Sequence, residues 1–250
     1  MGLLSRLGIG NATVDTVFPT TRVTAGDSVT VRVEIEGGRD RQHAQELVVG
    51  LLTRAETGNG ERVVEVSRTT LAEDLEVTPE TDRLLETSVD IPPWTPITRH
   101  GTEVWVDTDL AIDWGVDSHA EDALHVEPGE RLRLALQELA ELGFVPHRAV
   151  PLAGEGERVA APGVDGDHPV VQQFDCHPRS GSFVGSVRRL TVVAVPTVAD
   201  LRLHLRVDMD TDVVYEATGA YELSIGITVT DEGPAELRHR LERAIGGRGS

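Results

Sequence analysis

The sequence predicts an all-β protein built as two tandem antiparallel β-sandwich domains with a few short helices. Apolar and polar residues alternate over short runs such as Val29–Ile35 and Leu201–Val207, which is typical of strands with one buried face. Turn residues separate these runs at spacings of about 10 residues, as in sandwiches rather than βαβ units. The 250 residues suffice for two ordinary domains, which we place at residues 1–118 and 119–250.

About seven short strands are predicted in the first domain, six of them with defined bounds. The clearest is residues 29–35, and residues 46–54 are apolar on both faces, which favours a central strand. Asn59-Gly60 suits the positive φ angles of a primed hairpin turn. Residues 3–9 are expected to form a short helix or an arm, and residues 73–82 an acidic loop. In chain order, the strands are residues 12–18, 29–35, 46–54, 62–71, 84–91 and 104–112.

The segment 91–114, IPPWTPITRHGTEVWVDTDLAIDW, closes the first domain. Its three prolines cannot donate ladder hydrogen bonds, so strand pairing must lapse before it resumes in the second part of the segment. The strand there is expected to be half-buried and to contain a bulge. Trp94 and Trp105 are among the largest apolar groups of this half, and we expect both to pack into its core.

The second domain, residues 119–250, is predicted to combine strands with two helices. Residues 117–128 have the composition of a polar connector. Apolar residues at helical spacing predict a helix at 130–142, with Glu138 facing outward. Residues 234–245 are predicted to form a terminal helix with proline in its first turn. The strands of this domain are expected at residues 144–152, 169–175, 187–195, 201–208 and 221–229.

The chain is strongly acidic, with 42 acidic against 23 basic residues, a formal net charge of −19 and no lysine. Such a surface repels phosphate backbones and anionic lipid, which argues against nucleic-acid or membrane-surface binding. Surplus carboxylates keep a protein soluble where salt screens their repulsion. We therefore interpret the composition as adaptation to a highly saline, halophilic cytoplasm. The alternative is an acidic protein from a genome rich in G and C, which also depletes lysine.

Other features of the composition favour a cytoplasmic protein. The chain has no apolar run of about 18 residues, so no membrane insertion is expected. Its N-terminus, MGLLSRLGIG, lacks the basic lead-in and cleavage site of a signal peptide. The single cysteine excludes an internal disulfide framework, which suits a reducing compartment.

Asp208, Asp210 and Asp212 form a D-x-D-x-D pattern that imitates the first half of a calcium-binding loop. The rest of the loop pattern fails, because Val213 stands where the glycine of the sharp turn is needed and Gly219 where the bidentate glutamate is needed. A solvated acidic hairpin is the favoured interpretation. Calcium binding by these three aspartates stays open as the alternative.

A second acidic group follows one strand and its exit: Asp107, Asp109, Asp113 and Asp117. Two of these residues share a face of the strand, which is the minimum for a pair of catalytic carboxylates. Nothing in the sequence marks a sugar-binding cleft beside them. We therefore interpret them as an exposed acidic edge that discourages strand pairing.

Cys176 and His177 are adjacent in DCHPRSG. Neighbours on an extended strand point to opposite faces, so this pair cannot act as nucleophile and base, and a buried structural cysteine is favoured. The other histidines weighed lack metal-ligand spacing and are interpreted as scattered surface residues: His100, His119, His125, His147 and His168. No phosphate-binding loop, dinucleotide fingerprint or nucleophile elbow is present, so we assign no catalytic, cofactor-binding or metal residues.

Four segments of the chain resemble the sporulation-control family of the stage-zero sporulation protein M type. The segments are LGIGNATVDT (7–16), TAGDSVTVRVEIEGG (24–38), PPWTP with VWVDTDLAIDW (92–114) and HPVVQQFDCHP (168–178). The resemblance implies an arrestin-like pair of β-sandwich domains without an active site, acting in cell-cycle or developmental regulation through protein contacts. Residues 209–224, MDTDVVYEATGAYELS, depart from the glycine-rich, arginine-bearing stretch usual in the family.

The functional expectation is a non-enzymatic, cytoplasmic adaptor or scaffold that needs no cofactor and binds protein partners, with homo-oligomerisation left open. The edges of a sandwich suit this role because they accept extended peptides as added strands. The alternative is a module that binds a small ligand or divalent cation through its acidic loop. A hydrolase is a third and weaker alternative.

Overall fold

The structure, a computed structural model, describes residues 12–112, 118–153, 168–209 and 222–247. These residues form thirteen strands and two helices, so the predicted all-β class is confirmed. The strands are β1 (Thr13–Val17), β2 (Arg22–Thr24), β3 (Ser28–Glu36), β4 (Gln42–Thr57), β5 (Gly60–Val77), β6 (Asp82–Asp90), β7 (Val104–Ile112), β8 (Ser118–Glu127), β9 (Phe144–Leu152), β10 (Val171–Pro178), β11 (Val187–Pro196), β12 (Leu201–Met209) and β13 (Glu222–Val229). The helices are α1 (Glu130–Glu141) and α2 (Pro234–Ile245). The helix or arm predicted at 3–9 lies outside the described residues.

The chain divides into two compact units. Unit 1 comprises Met1–Arg54, Val63–Thr98 and Glu103–Glu127, and unit 2 comprises Ala55–Arg62, Arg99–Thr102 and Pro128–Ser250. The turn end of the β4–β5 hairpin and a short loop before β7 therefore belong to unit 2. The division falls after Glu127 rather than after residue 118, because β8 pairs with β7 and remains in unit 1.

Unit 1 is a sandwich of two sheets. The first sheet has the order β1-β3-β6 and is antiparallel throughout. The second contains β5, β4, β7, β8 and β2 in that order, and the pairing of β2 with β8 is parallel. β1 packs against β7 and β8, which brings the two sheets face to face. Between them, Thr16 Oγ1 of β1 donates to Thr108 Oγ1 of β7 at 2.6 Å in a buried hydrogen bond.

The hairpin of β4 and β5 is longer than the sequence indicated. β4 is buried on both faces at Leu47–Leu51, as expected for a central strand, and it lies between β5 and β7. β5 continues to Val77 and occupies the first half of the predicted acidic loop at 73–82. At the turn Gly60 has a positive φ, at 114°, but Asn59 does not, and a primed turn centred on Asn59-Gly60 would need a positive φ at Asn59, so the predicted turn is not formed.

β7 is a regular strand, and the prediction that its Trp105 packs into the core was wrong. Its buried side chains are Val104, Val106, Thr108, Leu110 and Ile112, all on one face. The predicted bulge lies instead in the partner strand β4, where the register shifts between Ala44 and Glu46. Trp105 is on the opposite face and half-buried, with the Arg54 guanidinium 5.7 Å from its ring centroid. Trp94 is also half-buried rather than in the core.

The segment 117–128, predicted as a polar connector, contains strand β8. Ala120, Leu124 and Val126 are buried on one face of the strand, and Glu121, Ala123 and His125 are exposed on the other. The short parallel strand β2 was not predicted. Its pairing with β8 is reinforced by Arg22 Nη1, which donates to Glu127 Oε1 at 2.5 Å.

Unit 2 contains one antiparallel sheet in the order β13-β12-β11-β10-β9. At its β9 end the tip of the β4–β5 hairpin joins it, with Glu56 opposite Leu152 in parallel register. Its largest fully buried side chains include Phe144 and Phe174. In place of a second sheet, the described residues of this unit supply two helices, with α1 contacting α2 and β9, and α2 contacting β13.

The two helices contact each other through Glu138, a charged residue that the sequence pattern predicted to be exposed. Glu138 of α1 has no exposed surface and accepts a hydrogen bond at 2.6 Å from Arg238 Nε of α2. The outward prediction for Glu138 was therefore wrong. Gly143 stops α1 as predicted, with φ at 93°, and a Cβ there would lie 2.0 Å from the Ser180 carbonyl oxygen. Among the described residues, no helix is long and apolar enough to cross a membrane.

Candidate functional site

The D-x-D-x-D pattern begins at the end of β12. Asp208 Oδ2 accepts a hydrogen bond at 2.6 Å from Arg188 Nη2 and lies 3.8 Å from Arg189 Nη2. Asp210 and Asp212 lie outside the described residues. Within the described ranges, no group of three or more His, Cys, Asp or Glu side chains is placed to hold a metal ion. The described member of the pattern is therefore the partner of two arginines.

The acidic group of β7 is only partly described. Asp107 and Asp109 are half-buried on the face of β7 opposite its core side chains. Asp113 and Asp117 lie outside the described residues. Asp107 and Asp109 therefore do not form the predicted exposed acidic edge, because β7 is flanked by β4 and β8 and is a central strand.

Two carboxylates of unit 1 that the sequence did not connect, Asp15 of β1 and Asp122 of β8, interact electrostatically. Asp122 of β8 points to the same face as the buried Leu124, and β1, which carries Asp15, packs on that strand. Burial, and secondly the charge of Asp15, raise the pKa of Asp122 above its usual 3.8. The two residues are far apart in the sequence, so no motif could have linked them.

Cys176 is a buried structural residue, as predicted. It has no exposed surface, and burial, with a smaller effect of the Asp175 charge, raises the pKa of its thiol to about 12. His177 is exposed on the other face of β10 and points its Nδ1 at the Arg188 carbonyl oxygen, 2.9 Å away. The two side chains therefore cannot act together as nucleophile and base.

His147, interpreted as a scattered surface residue, is a neighbour of His177. The rings of His147 on β9 and His177 on β10 stack with centroids 4.4 Å apart. Partial burial, then the charge of His177, lower the pKa of His147 below 6.5. His125 is engaged elsewhere, with Thr98 Oγ1 3.0 Å from its Nδ1. The stack forms beside the shift in register between Asp175 and Cys176, where His177 lies opposite Val145, two residues before His147.

The outer edge of the three-stranded sheet is the feature of unit 1 that suits a binding role. β6 is a terminal strand and, among the described residues, pairs with β3 alone. Its exposed outward face carries Asp82, Leu84, Glu86, Ser88 and Asp90. Leu84 is 59% exposed, more than any other large apolar side chain described in unit 1. We call strand Asp82–Asp90, with the backbone side that faces away from β3, the β6 edge.

Other terminal strands carry features that discourage an added strand. Next to β1, the Ala12 N–H donates to Gln42 Oε1 at 2.6 Å. Asp74, with φ at 52°, interrupts the extended backbone of β5. β2 has three residues. On β13, the Thr228 carbonyl accepts a hydrogen bond at 2.9 Å from Arg240 Nη2. The described β6 has no residue with positive φ, no proline and no register shift.

The fold and the β6 edge define the class of protein. It is a β-rich protein with a two-sheet sandwich, and among the described residues the terminal strand β6 of one sheet is paired on one side only. The model of the SpoOM protein family matches residues 1–211, and the chain belongs to this family. The sporulation-control protein Spo0M of Bacillus subtilis (strain 168) is 25% identical over 210 residues, which is 82% of this chain and 79% of that protein. The family resemblance identified from the sequence is therefore confirmed.

The fold is also that of a solved relative. The crystal structure of Spo0M, the sporulation control protein from Bacillus subtilis, superimposes with a TM-score of 0.81. The match covers 96% of this chain and 100% of that chain at 22% identity. At this identity the likeness establishes the shared fold. Helix α2 lies beyond the residues that the family model matches.

Proposed function

We propose that the protein is a non-enzymatic adaptor that acts in the cytoplasm by binding other proteins. The observation that carries the proposal is the β6 edge. A regular nine-residue strand with a single described neighbour offers backbone donors and acceptors in the pattern that an extended peptide needs. The family supports a regulatory role, because a relative that is 25% identical is named a sporulation-control protein.

Three described residues of types that could carry chemistry are used for packing and ion pairing. Cys176 is buried, and its raised pKa keeps it a thiol at neutral pH. Asp208 is held by two arginines. The polar Asp175 is nearly buried and accepts from Thr191 Oγ1 at 3.0 Å, as part of the sheet interior. These engagements support a binding protein over a hydrolase.

The test is recovery of partners under native salt. The tagged protein is expressed in its own host, cross-linked in the cell and purified, and the bound proteins are identified by mass spectrometry. We expect a small set of proteins recovered in amounts comparable with the tagged protein and competed by untagged protein. Recovery of none that competes would contradict the proposal, and turnover of a substrate by the purified protein would contradict its non-enzymatic part.

A further inference from the structure

We propose that the β6 edge takes an extended, positively charged segment of a partner protein as an additional strand of the β1-β3-β6 sheet. This inference rests on the proposed function and names the site and the chemistry of its partner. The partner would pair its backbone with β6 on the side opposite β3. Its side chains would then alternate between the outward face of the sheet and the face toward the second sheet.

The charge of the outward face selects a basic segment. Asp82 and Glu86 flank Leu84 on this face, and the neighbouring strand places Glu34 directly opposite Leu84. One of these charges is already compensated, because Arg32 Nε donates to Glu86 Oε2 at 3.2 Å. Asp82 has no ion-pair partner among the described residues. A basic residue beside Asp82 and an apolar residue opposite Leu84 would therefore be stabilised by cross-strand contacts.

The same charges disfavour a second copy of this chain as the occupant. Antiparallel pairing of two β6 strands would set acidic residues of one copy against acidic residues of the other, which is destabilising. The net charge of −19 adds long-range repulsion between copies. Charged edge residues often serve only to keep sheets apart. Here they do so selectively, because they repel acidic chains and attract basic ones.

A binding experiment with a defined probe tests the site. The probe is a short capped peptide in which arginine and valine alternate, and the reference peptide has glutamate in place of arginine. Binding is measured by fluorescence anisotropy, and the location by hydrogen exchange of the β6 amides. At ionic strength of about 0.1 M, where charges within ~10 Å still interact, we expect the arginine peptide to bind and to slow exchange in β6, and the glutamate peptide to do neither.

Two matched double variants locate the effect. Asp82→Lys/Leu84→Lys changes the β6 edge, and Glu242→Lys/Val198→Lys makes the same change of charge and apolarity at exposed residues of unit 2. All four side chains are exposed, so both variants should melt like the wild type. We expect the first variant to weaken peptide binding about tenfold or more and the second to leave it within about twofold.

Each outcome decides the inference. Unchanged exchange in β6, or equal weakening by both variants, would overturn it, because binding would then reflect net charge alone. A wild-type dimer that the Asp82→Lys/Leu84→Lys variant dissociates would assign the edge to a second copy. If that variant still recovers the cross-linked partners of the wild type, the β6 site is wrong while the adaptor function stands. If the wild type recovers none, the adaptor function itself fails.

Discussion

Arg238 of α2 donates a hydrogen bond from Nε to Oε2 of Glu138 on α1 at 2.6 Å, and it is the counter-ion of a carboxylate with no exposed surface. The second oxygen of Glu138 is also buried and has no hydrogen-bond partner within the described residues. A buried carboxylate is costly without its partner. Arg238 therefore offsets the cost of burying Glu138 where α1 packs on α2.

Replacement of Arg238 by methionine should destabilise the protein, because it leaves Glu138 buried and uncompensated. We expect the melting temperature to fall by about 5 °C or more. Glu138→Leu should cost less, since the Arg238 side chain is 43% exposed and can be hydrated when its partner is gone. Arg133→Met, at an exposed position of α1, is the control. Equal melting temperatures for the Arg238 and Arg133 variants would contradict the role of the pair.

Cys176 should be inert to thiol reagents in the folded protein. Burial raises the pKa of its thiol from 9.0 to about 12, which lowers the thiolate fraction near neutral pH about 1000-fold. We expect DTNB to label the cysteine only after denaturant is added. A Cys176→Ser/Ser182→Cys variant, with the thiol at an exposed position, should react at once and serves as the control. Fast labelling of the native wild type would show that β10 opens readily.

The pKa of His147 should depend on its stacked neighbour. The charge of His177 contributes to the lowering of the His147 pKa, although burial contributes more. We expect His177→Asn to move the pKa of His147 upward toward 6.5, measured by NMR titration of the imidazole C–H signals. His125→Asn, which removes a histidine bonded to Thr98, should leave that pKa unchanged. No movement in the His177 variant would show that the stack is not kept in solution.

The same shift predicts a pH dependence of stability. The folded-state pKa of His147 is lowered, so the unfolded chain binds more protons as the pH falls through 6.5. The contribution of this residue therefore favours unfolding below that pH and vanishes above it. We expect His147→Asn to reduce the loss of stability between pH 8 and pH 5 in denaturant titrations. An unchanged loss would mean that other titrating groups account for the pH dependence.

Salt should stabilise the fold if the composition reflects a saline host. A net charge of −19 produces self-repulsion that salt screens, and the Debye length falls to about 3 Å at 1 M. We expect the midpoint of thermal unfolding to rise from low to multimolar KCl. Part of any rise will come from salting-out, which stabilises folded proteins in general. A globular protein of ordinary net charge is therefore measured as the control. Equal stability at both salt concentrations would rule out salt adaptation.

Calcium should have little effect on the protein. The described part of D-x-D-x-D is paired with arginines, and the sequence lacks the glycine and glutamate of a complete loop. We expect calorimetric titration with calcium chloride to give no saturable heat and no rise in melting temperature beyond that of magnesium chloride. A saturable heat that Asp210→Asn abolishes would instead support the cation-binding alternative.

Periodicity predicted most of the strands because each buries one face. β12 and β3 were located within about a residue, since their buried and exposed side chains alternate without interruption. β8 was missed because its apolar residues are small or widely separated by acidic ones, although Ala120, Leu124 and Val126 occupy one face. The composition of that segment concealed its pattern.

Features that depend on distant residues were beyond the sequence. Glu138 lies among apolar neighbours of α1, but only the docking of α2 supplies the arginine that lets it be buried. The stack of His147 on His177 depends on the register of two strands that is shifted at Asp175 and Cys176. The β6 edge follows from the strand order of unit 1, which alternation alone does not determine. The sequence indicated that edges would be available, not which one.

The hydrogen bond from Arg240 to the Thr228 carbonyl gives α2 a protective function besides its buried contacts through Leu237 and Leu241. Within the described chain, β13 is the last strand of its sheet, and α2 is the element that packs against it. A proteolytic cut before Pro234 would therefore remove the helix and, with it, the hydrogen bond that protects the edge of β13. The shortened protein would expose a strand with isoleucines and valine to its own copies and become prone to fibrous aggregation during storage.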